Sequence, residues 1–235
     1  MTSRGGDKQS VSVAAVNGVK LPMLQLVSHF AAIDIRLDLA FGALGGLLDR
    51  LQAGHRFDIL IAPNDGLDVA QQRGLFDSAK TVEIASTGLG VVVRSGSPRP
   101  NISTPDLLRH ALLACRSIAF TDPGTGAASG LAFRRVLEKL DIVEEVLKKA
   151  QLTSGGPVGE VVAQGDAELG VQQITELKPV SGIDLLHPFP AELQNVTVYR
   201  AGLARDAAPV AESILNELCG AEVQQLFKTE GFGRF

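Results

Sequence analysis

The stretch Thr121-Asp122-Pro123-Gly124-Thr125-Gly126-Ala127-Ala128-Ser129-Gly130 decides how the chain is read. Before it runs Ser117-Ile118-Ala119-Phe120, a short apolar segment that predicts a buried strand. After it, Leu131 to Leu140 has the apolar spacing of an amphipathic helix. Strand, glycine-rich turn and helix in that order turn unpaired backbone N–H groups outward at the helix N-terminus. The aligned peptide dipoles place roughly half a positive charge there, which suits an anion. The glycines let a ligand approach the main chain closely. A tight β–α connection without any ligand fits this stretch equally well.

Upstream, the same grammar repeats three times. Val11 to Val16 predicts a strand ending at Asn17-Gly18, followed by a helix over Val19 to Phe30. Ile33 to Leu39 alternates apolar and polar residues and predicts a second strand. A glycine-rich turn, Phe41-Gly42-Ala43-Leu44-Gly45-Gly46, then opens a helix over Leu47 to Gln52. Phe57 to Ala62 predicts a third strand, and Pro63-Asn64-Asp65 leads into a helix to Gln72. In an open parallel sheet with right-handed crossovers, the loops at Asn17, Leu44 and Asn64 share one edge, the edge where ligands bind.

Downstream, Thr81 to Ile84 and Leu89 to Val93 read as extended, and Ser103 or Thr104 caps a helix through Ala114. Beyond the featured turn, Lys148 to Leu152 predicts a strand entering Thr153-Ser154-Gly155-Gly156, and Val158 to Ala163 a short helix. Glu168 to Val171 predicts a strand that ends on Gln172-Gln173. Strands at Ile183 to Leu186 and Val196 to Tyr199 and helices over Ala207 to Leu218 and Ala221 to Phe227 complete the chain. Two βα arrays lie in series, and the last strand and helices have no sheet of their own. Returning them to the first array gives an α/β fold of two doubly wound lobes joined by two crossover strands. Lobe 1 takes residues 1–85 and 198–235, lobe 2 takes 86–197, and the ligand cleft lies between them.

Bulk composition narrows the function. The 235 residues are 45% hydrophobic and 20% charged, with a net charge of −4, which leaves ample core and no electrostatic footprint for nucleic acid. One Tyr, ten Phe and no Trp argue against base-stacking platforms. Cys115 and Cys219, each in an apolar helical context, read as buried free thiols rather than a disulfide. No apolar run is long enough to span a membrane. Met1 to Ser10 is polar and carries no secretion signal, so the chain as written reads as cytoplasmic, and as periplasmic if a signal was removed.

Catalytic and cofactor motifs are missing. His29, His55, His110 and His187 are isolated, so no metal site is expected. The pairs Asp34/Asp38 and Asp65/Asp68 read as solvated faces or caps. Gly124 to Gly130 matches a dinucleotide fingerprint loosely, with its third glycine one position late, and no Gly-Lys-Ser/Thr or Gly-x-Ser-x-Gly is present. No cofactor is implied. Loops rich in Gly, Asn, Thr, Ser and Gln remain, and these suit hydrogen bonding to a small anion.

Several stretches, in collinear order from Val11 to Phe232, resemble the periplasmic molybdate-binding group of type 2 solute-binding proteins. They are Phe41 to Gly45, Gln52 to Gly54, Phe57 to Ala62, Gly74 to Asp77, Thr121 to Gly126, Gln164 to Gly170 and Phe227 to Phe232. The resemblance implies the periplasmic-binding-protein-like II fold, two α/β lobes with two crossover strands around an anion cleft. It implies ligand contacts from Asn17 and Gly18, Leu44 and Gly45, the turn Thr125-Gly126-Ala127, and Gln172 and Gln173; Asn64 joins them as the third loop on the shared sheet edge. In that family a hydroxyl residue follows the first strand, another opens the second helix, and a tyrosine follows the Gly-x-Val strand. Here Asn17, Leu44 and Gln172-Gln173 stand at those places. An unpaired acceptor in a closed site costs roughly 1–3 kcal/mol, so molybdate is disfavoured.

Asn and Gln amides suit carboxylates, and one branch of the family isomerises a small unsaturated tricarboxylate. The sequence therefore predicts a solute-binding protein for a small organic anion, a di- or tricarboxylate. The alternative is an aconitate-type isomerase with Asp65, Asp122, Lys20 or His55 as proton carrier; molybdate or tungstate binding and a ligand-sensing domain stand behind these. A monomer is expected, with an ABC transporter permease as the further partner that the resemblance admits.

Overall fold

The computed structural model describes residues 9–154 and 156–233. Residues 1–8, on which the reading of the leader rests, and Gly155 of the Thr153–Gly156 turn lie outside the described residues. The chain divides into two compact units. The first takes the chain to Ala85 and Val198–Thr229; the second takes Ser86–Thr197 and the residues from Glu230 onward.

In the first unit, β1 (Gln9–Val16) is buried throughout its second half, as befits a central strand covered on both faces. A single 3-10 turn, Asn17–Val19, leads into α1 (Lys20–Ala31), which buries Met23, Leu26 and Phe30. β2 (Ile35–Gly42) begins two residues later than its alternation suggests, because Asp34 takes a left-handed φ of 59° and leaves Ile33 exposed. The predicted glycine turn at 41–46 is a correction. β1 and β2 stay paired to Val16 and Gly42, and α2 (Leu44–Gln52) starts one residue later, with Gly45 and Gly46 inside its first turn. β3 (Ile59–Pro63), α3 (Asn64–Gln72) and β4 (Ser78–Thr87) follow.

In the second unit, β5 (Leu89–Arg94) precedes α4 (Pro105–Ala114), whose cap Thr104 accepts the Leu107 N–H at 3.3 Å. Then come β6 (Ile118–Thr121), α5 (Ala128–Lys139) and α6 (Val143–Leu147), a five-residue helix that the sequence pattern does not reveal. β7 (Ala150–Thr153), α7 (Val158–Gln164), β8 (Leu169–Gln173), α8 (Ile174–Leu177) and β9 (Ile183–Pro188) complete the array. Phe120, Phe133 and Phe189 pack edge to face, with centroids 5.0 and 6.1 Å apart, and anchor this unit's core. The chain re-enters the first unit through β10 (Thr197–Ala204), α9 (Ala211–Leu218) and α10 (Ala221–Thr229).

The first sheet has the order β2-β1-β3-β10-β4 and the second β7-β6-β8-β5-β9. β1, β2 and β3 are mutually parallel, and β10 joins β3 antiparallel. This is the expected pair of α/β lobes, with the returning strand inserted in the first. The C-terminal residues depart from expectation. Gly233 N–H donates to Ser86 O at 2.9 Å, the Ser86 hydroxyl bonds back to Gly233 O, and Gly231 packs on Ile174 and Lys178, so this tail clusters with the second unit. Cys219 is also corrected: it is exposed, whereas Cys115 is buried.

Asp58 ties the first unit together. One carboxylate oxygen accepts the Ser12 amide (2.8 Å) and hydroxyl (2.6 Å), and the other accepts the Ala208 amide (2.7 Å). Its carbonyl accepts the Ala204 N–H at 2.8 Å. Burial pushes the carboxyl up, but the bonds from Ser12 and Ala208 outweigh it and hold the group below its ordinary range. Asp58→Ala is expected to cost about 2–4 kcal/mol, since it strands three donors, the Ser12 amide and hydroxyl and the Ala208 amide. The wild-type contribution should be present above the ordinary aspartate range and fade as pH falls through the folded value. Urea unfolding of both proteins from pH 7 to pH 3 checks this; a loss below about 1 kcal/mol at pH 7 would show the hub to be redundant.

Candidate ligand-binding site

Parallel pairing puts the ends of β1, β2 and β3 on one edge of the first sheet. Asn17 and Asn64 are exposed there, each as the first residue after its strand. Leu44 opens α2 with its side chain against Gly66 of α3, where a β-carbon would sit 2.9 Å from Leu44 Cδ2, and Gly45 is open beside it. Gly18 faces the hydroxyl of Tyr199, which any β-carbon at position 18 would overlap. Tyr199 is 2% exposed and pairs with Pro63 across β10 and β3. The chain's one tyrosine is therefore delivered to the Asn17-Gly18 turn by the returning strand, a placement that no local pattern announces.

On the second sheet, β6, β7 and β8 are parallel, and their ends form the corresponding edge of that unit. The turn Thr125-Gly126-Ala127 does not offer the donors expected of it. Asp122 Oδ1 accepts the Gly124 N–H (2.8 Å), and Asp122 O accepts both the Thr125 N–H (3.1 Å) and the Thr125 hydroxyl (2.7 Å). Pro123 O takes the Gly126 N–H (3.1 Å), and Thr125 Oγ1 takes the Ala127 N–H (3.3 Å). Gly126, at φ 73°, supplies the left-handed residue that closes this turn. The open donors lie one step later. The first helical bond of α5 runs from Leu131 N–H to Ala127 O (3.0 Å), so the amides of Ala128, Ser129 and Gly130 precede it. No acceptor for them is found among the described residues.

Gly130 lets α5 press on the strand it follows: a β-carbon there would overlap Thr121 O. Ser129 Oγ donates to Thr121 Oγ1 at 3.2 Å in the same contact. Thr121 lies beside Gln172, one step beyond the Phe120–Val171 pair. Gln172 and Gln173 belong to β8 itself, 2% and 3% exposed, rather than to a loop after it. Gln172 Oε1 accepts the Val158 N–H at the start of α7 (3.1 Å), while its Nε2 has no partner among the described residues. Gln173 Nε2 donates to Thr197 Oγ1 at 2.9 Å.

Of the proton carriers suggested by sequence, Asp122 is engaged in its turn, and Lys20 lies over the Phe41 ring, 5.8 Å from its centroid. Asp65 is exposed on α3, and His55 precedes β3, at the edge opposite Asn64. Glu176, on the first turn of α8, carries a perturbed carboxyl that the sequence does not single out: burial pushes it up to about 7, against the Gln173 backbone N–H that draws it down. Glutamine is a rare helix cap, so Gln173-Ile174-Thr175-Glu176 does not read as a capping box. A cavity of about 280 Å³ beside Arg56, Asp77 and Arg205 lies away from these edges and adds none of these donors. Among the described residues no cluster of His, Cys, Asp and Glu could hold a metal, and no helix is long and apolar enough to cross a membrane.

Two α/β units, each presenting helix N-termini and amide side chains on the carboxyl edge of its sheet, define a solute-binding scaffold. The chain belongs to the bacterial extracellular solute-binding proteins, whose pattern it matches over residues 11–233. It is 28% identical over 208 residues to an aconitate isomerase of Pseudomonas sp, covering 85% of this chain and 78% of that one. It is 25% identical over 246 residues to the molybdate-binding protein ModA of Azotobacter vinelandii, covering 95% and 89%. The solved substrate-binding domain described for a molybdenum ABC transporter of Clostridium difficile superposes with a TM-score of 0.80 at 16% identity, over 96% of this chain and 99% of that one.

Because Gly130 sets the approach of α5, Gly130→Ala should lower stability by about 2 kcal/mol or more as the helix start is forced off Thr121. Gly126→Ala meets no neighbour within 4 Å and should lose only about 1 kcal/mol, the cost of its left-handed φ. Thermal unfolding of the two variants side by side checks the order; equal losses would contradict it.

Proposed function

We propose that this protein binds a small organic anion, a di- or tricarboxylate, as a solute-binding protein, with contacts from Gln172 and the start of α5 in the second unit; Asn17, Gly18 and Asn64 stand on the corresponding edge of the first. The observation that carries this reading is Gln172: a buried amide, fixed at its oxygen by Val158, with its nitrogen unspent next to the strand that feeds α5. A planar N–H donor matches a carboxylate oxygen. Leu44, turned onto Gly66, brings no polar side-chain atom to a tetrahedral oxyanion. Gly45, Thr125, Ala127 and Gln173 border these contacts and shape them. The protein acts as a monomer, is periplasmic when exported, and serves an ABC transporter permease as its partner.

Isomerisation of the same ligand is the second reading. It is favoured by the isomerase relative. Following the double-bond absorbance of cis- and trans-aconitate separates a binder from an enzyme.

Thermal-shift and calorimetric titration against molybdate, tungstate, sulfate and a panel of di- and tricarboxylates tests the main reading. Carboxylates should raise the melting temperature and oxyanions should not. Gln172→Leu should weaken carboxylate binding by roughly 5- to 100-fold, the worth of one buried hydrogen bond. Stabilisation by molybdate alone would overturn the assignment.

A further inference from the structure

The first unit has a second concavity at the other end of its sheet. The cavity of about 280 Å³ opens where β3 begins and β10 ends, and all its walls belong to that unit. Its size is at the low end of the roughly 300–1,000 Å³ typical of small-molecule sites. The floor is apolar: Leu51 comes from the last turn of α2, Phe57 from the approach to β3, and Leu75 and Phe76 from the loop after α3. It is also fixed, because Leu75 N–H bonds to Ala70 O at 2.9 Å and Ala204 N–H to Asp58 O at 2.8 Å. One wall is a closed ion pair. Arg205 Nε and Nη2 donate to Asp77 Oδ2 and Oδ1 at 2.5 and 3.1 Å, and Arg205 N–H donates to Asp77 O at 2.9 Å. Those two charges are spent on each other.

The charges of Arg56 and Asp206 are not. Both residues line the cavity, both are exposed, and neither side chain has a hydrogen bond or ion pair among the described residues. Opposite charges that share one cavity without meeting suit a ligand that carries both signs. The backbone favours the same arrangement. α2 and α3 end at this edge, and each helix C-terminus brings roughly half a negative charge, which suits an ammonium. We propose that this cavity binds a small zwitterion, an α-amino acid with an apolar side chain. Arg56 takes the carboxylate through its planar fork. Asp206 and the helix ends take the ammonium, and the side chain rests on Phe57, Leu75 and Phe76. The site is separate from the sheet edges that carry the carboxylate reading and does not depend on that reading.

Two-dimensional ¹H–¹⁵N NMR of the whole chain, titrated with L-leucine or L-phenylalanine, tests the proposal. The amide signals of Leu75, Phe76 and Ala204 should shift and saturate, while that of Gln172 stays in place. Of the leucine analogues, 4-methylpentanoate lacks the ammonium and 3-methylbutylamine lacks the carboxylate. Each should bind about tenfold or more weakly than leucine, as should leucine itself to R56Q and to D206N. Both positions are exposed, so both variants should keep the wild-type melting temperature. Absence of saturable shifts at the cavity overturns the site. Binding of either analogue as tightly as leucine, or of leucine to both variants as tightly as to wild type, overturns the zwitterion assignment.

Discussion

The first unit hangs on one carboxylate. Asp58 stands at the head of β3, yet its bonds reach back to Ser12 on β1 and forward to Ala204 and Ala208 on the returning segment. A segment separated from β3 by the whole second unit is thereby fixed in register beside it. Side-chain contacts could hold that strand in more than one slide, because a sheet's apolar faces repeat every two residues. Hydrogen bonds from a single anchored acceptor cannot. The same register carries Tyr199 to Pro63 and its hydroxyl to Gly18, so the candidate site at this edge depends on a bond made at the other end of the strand.

In the second unit the comparable constraint is steric. α5 can start where it does only because position 130 has no side chain, and Thr121 O occupies the room a β-carbon would need. Once the helix is set that close, its first free amides fall beside the end of β6, the strand that pairs with the Gln172-bearing β8. The preceding turn is closed upon itself through Asp122, so it is a rigid frame and not a donor surface.

The fold was legible because its signals are local and repeated: apolar strand, polar or glycine turn, amphipathic helix. The start of α2 was misjudged because Gly45 and Gly46 look like a turn on composition, whereas the long pairing of β2 with β1 carries the strand to Gly42 and the helix begins at once. The site was legible in part. Asn17, Asn64 and Gln172 stand on the expected edges because strand ends dictate them. Which amides of the Thr121–Gly130 stretch are spent depends on the rotamers of Asp122 and Thr125, which no spacing rule fixes. Tyr199 and Glu176 could not be read at all: one arrives by a long-range strand insertion and the other matters through burial, and neither leaves a mark in local pattern.

The candidate edges are built from dipoles more than from charges. The donors are backbone amides and the side chains of Asn17, Asn64 and Gln172, and Lys20 is drawn over the Phe41 ring. Fixed neutral donors stabilise an anion without themselves demanding a counter-ion when the site stands open. They also discriminate by geometry, since each N–H has one direction in which it is worth its full strength. Leu44 brings no polar side-chain atom to the head of α2, and Gln172 at the end of β8 carries a planar amide held by Val158. On the carboxylate reading proposed above, both features suit a flat, spread acceptor over a compact tetrahedral one, and both are set by side chains whose positions the surrounding backbone already fixes.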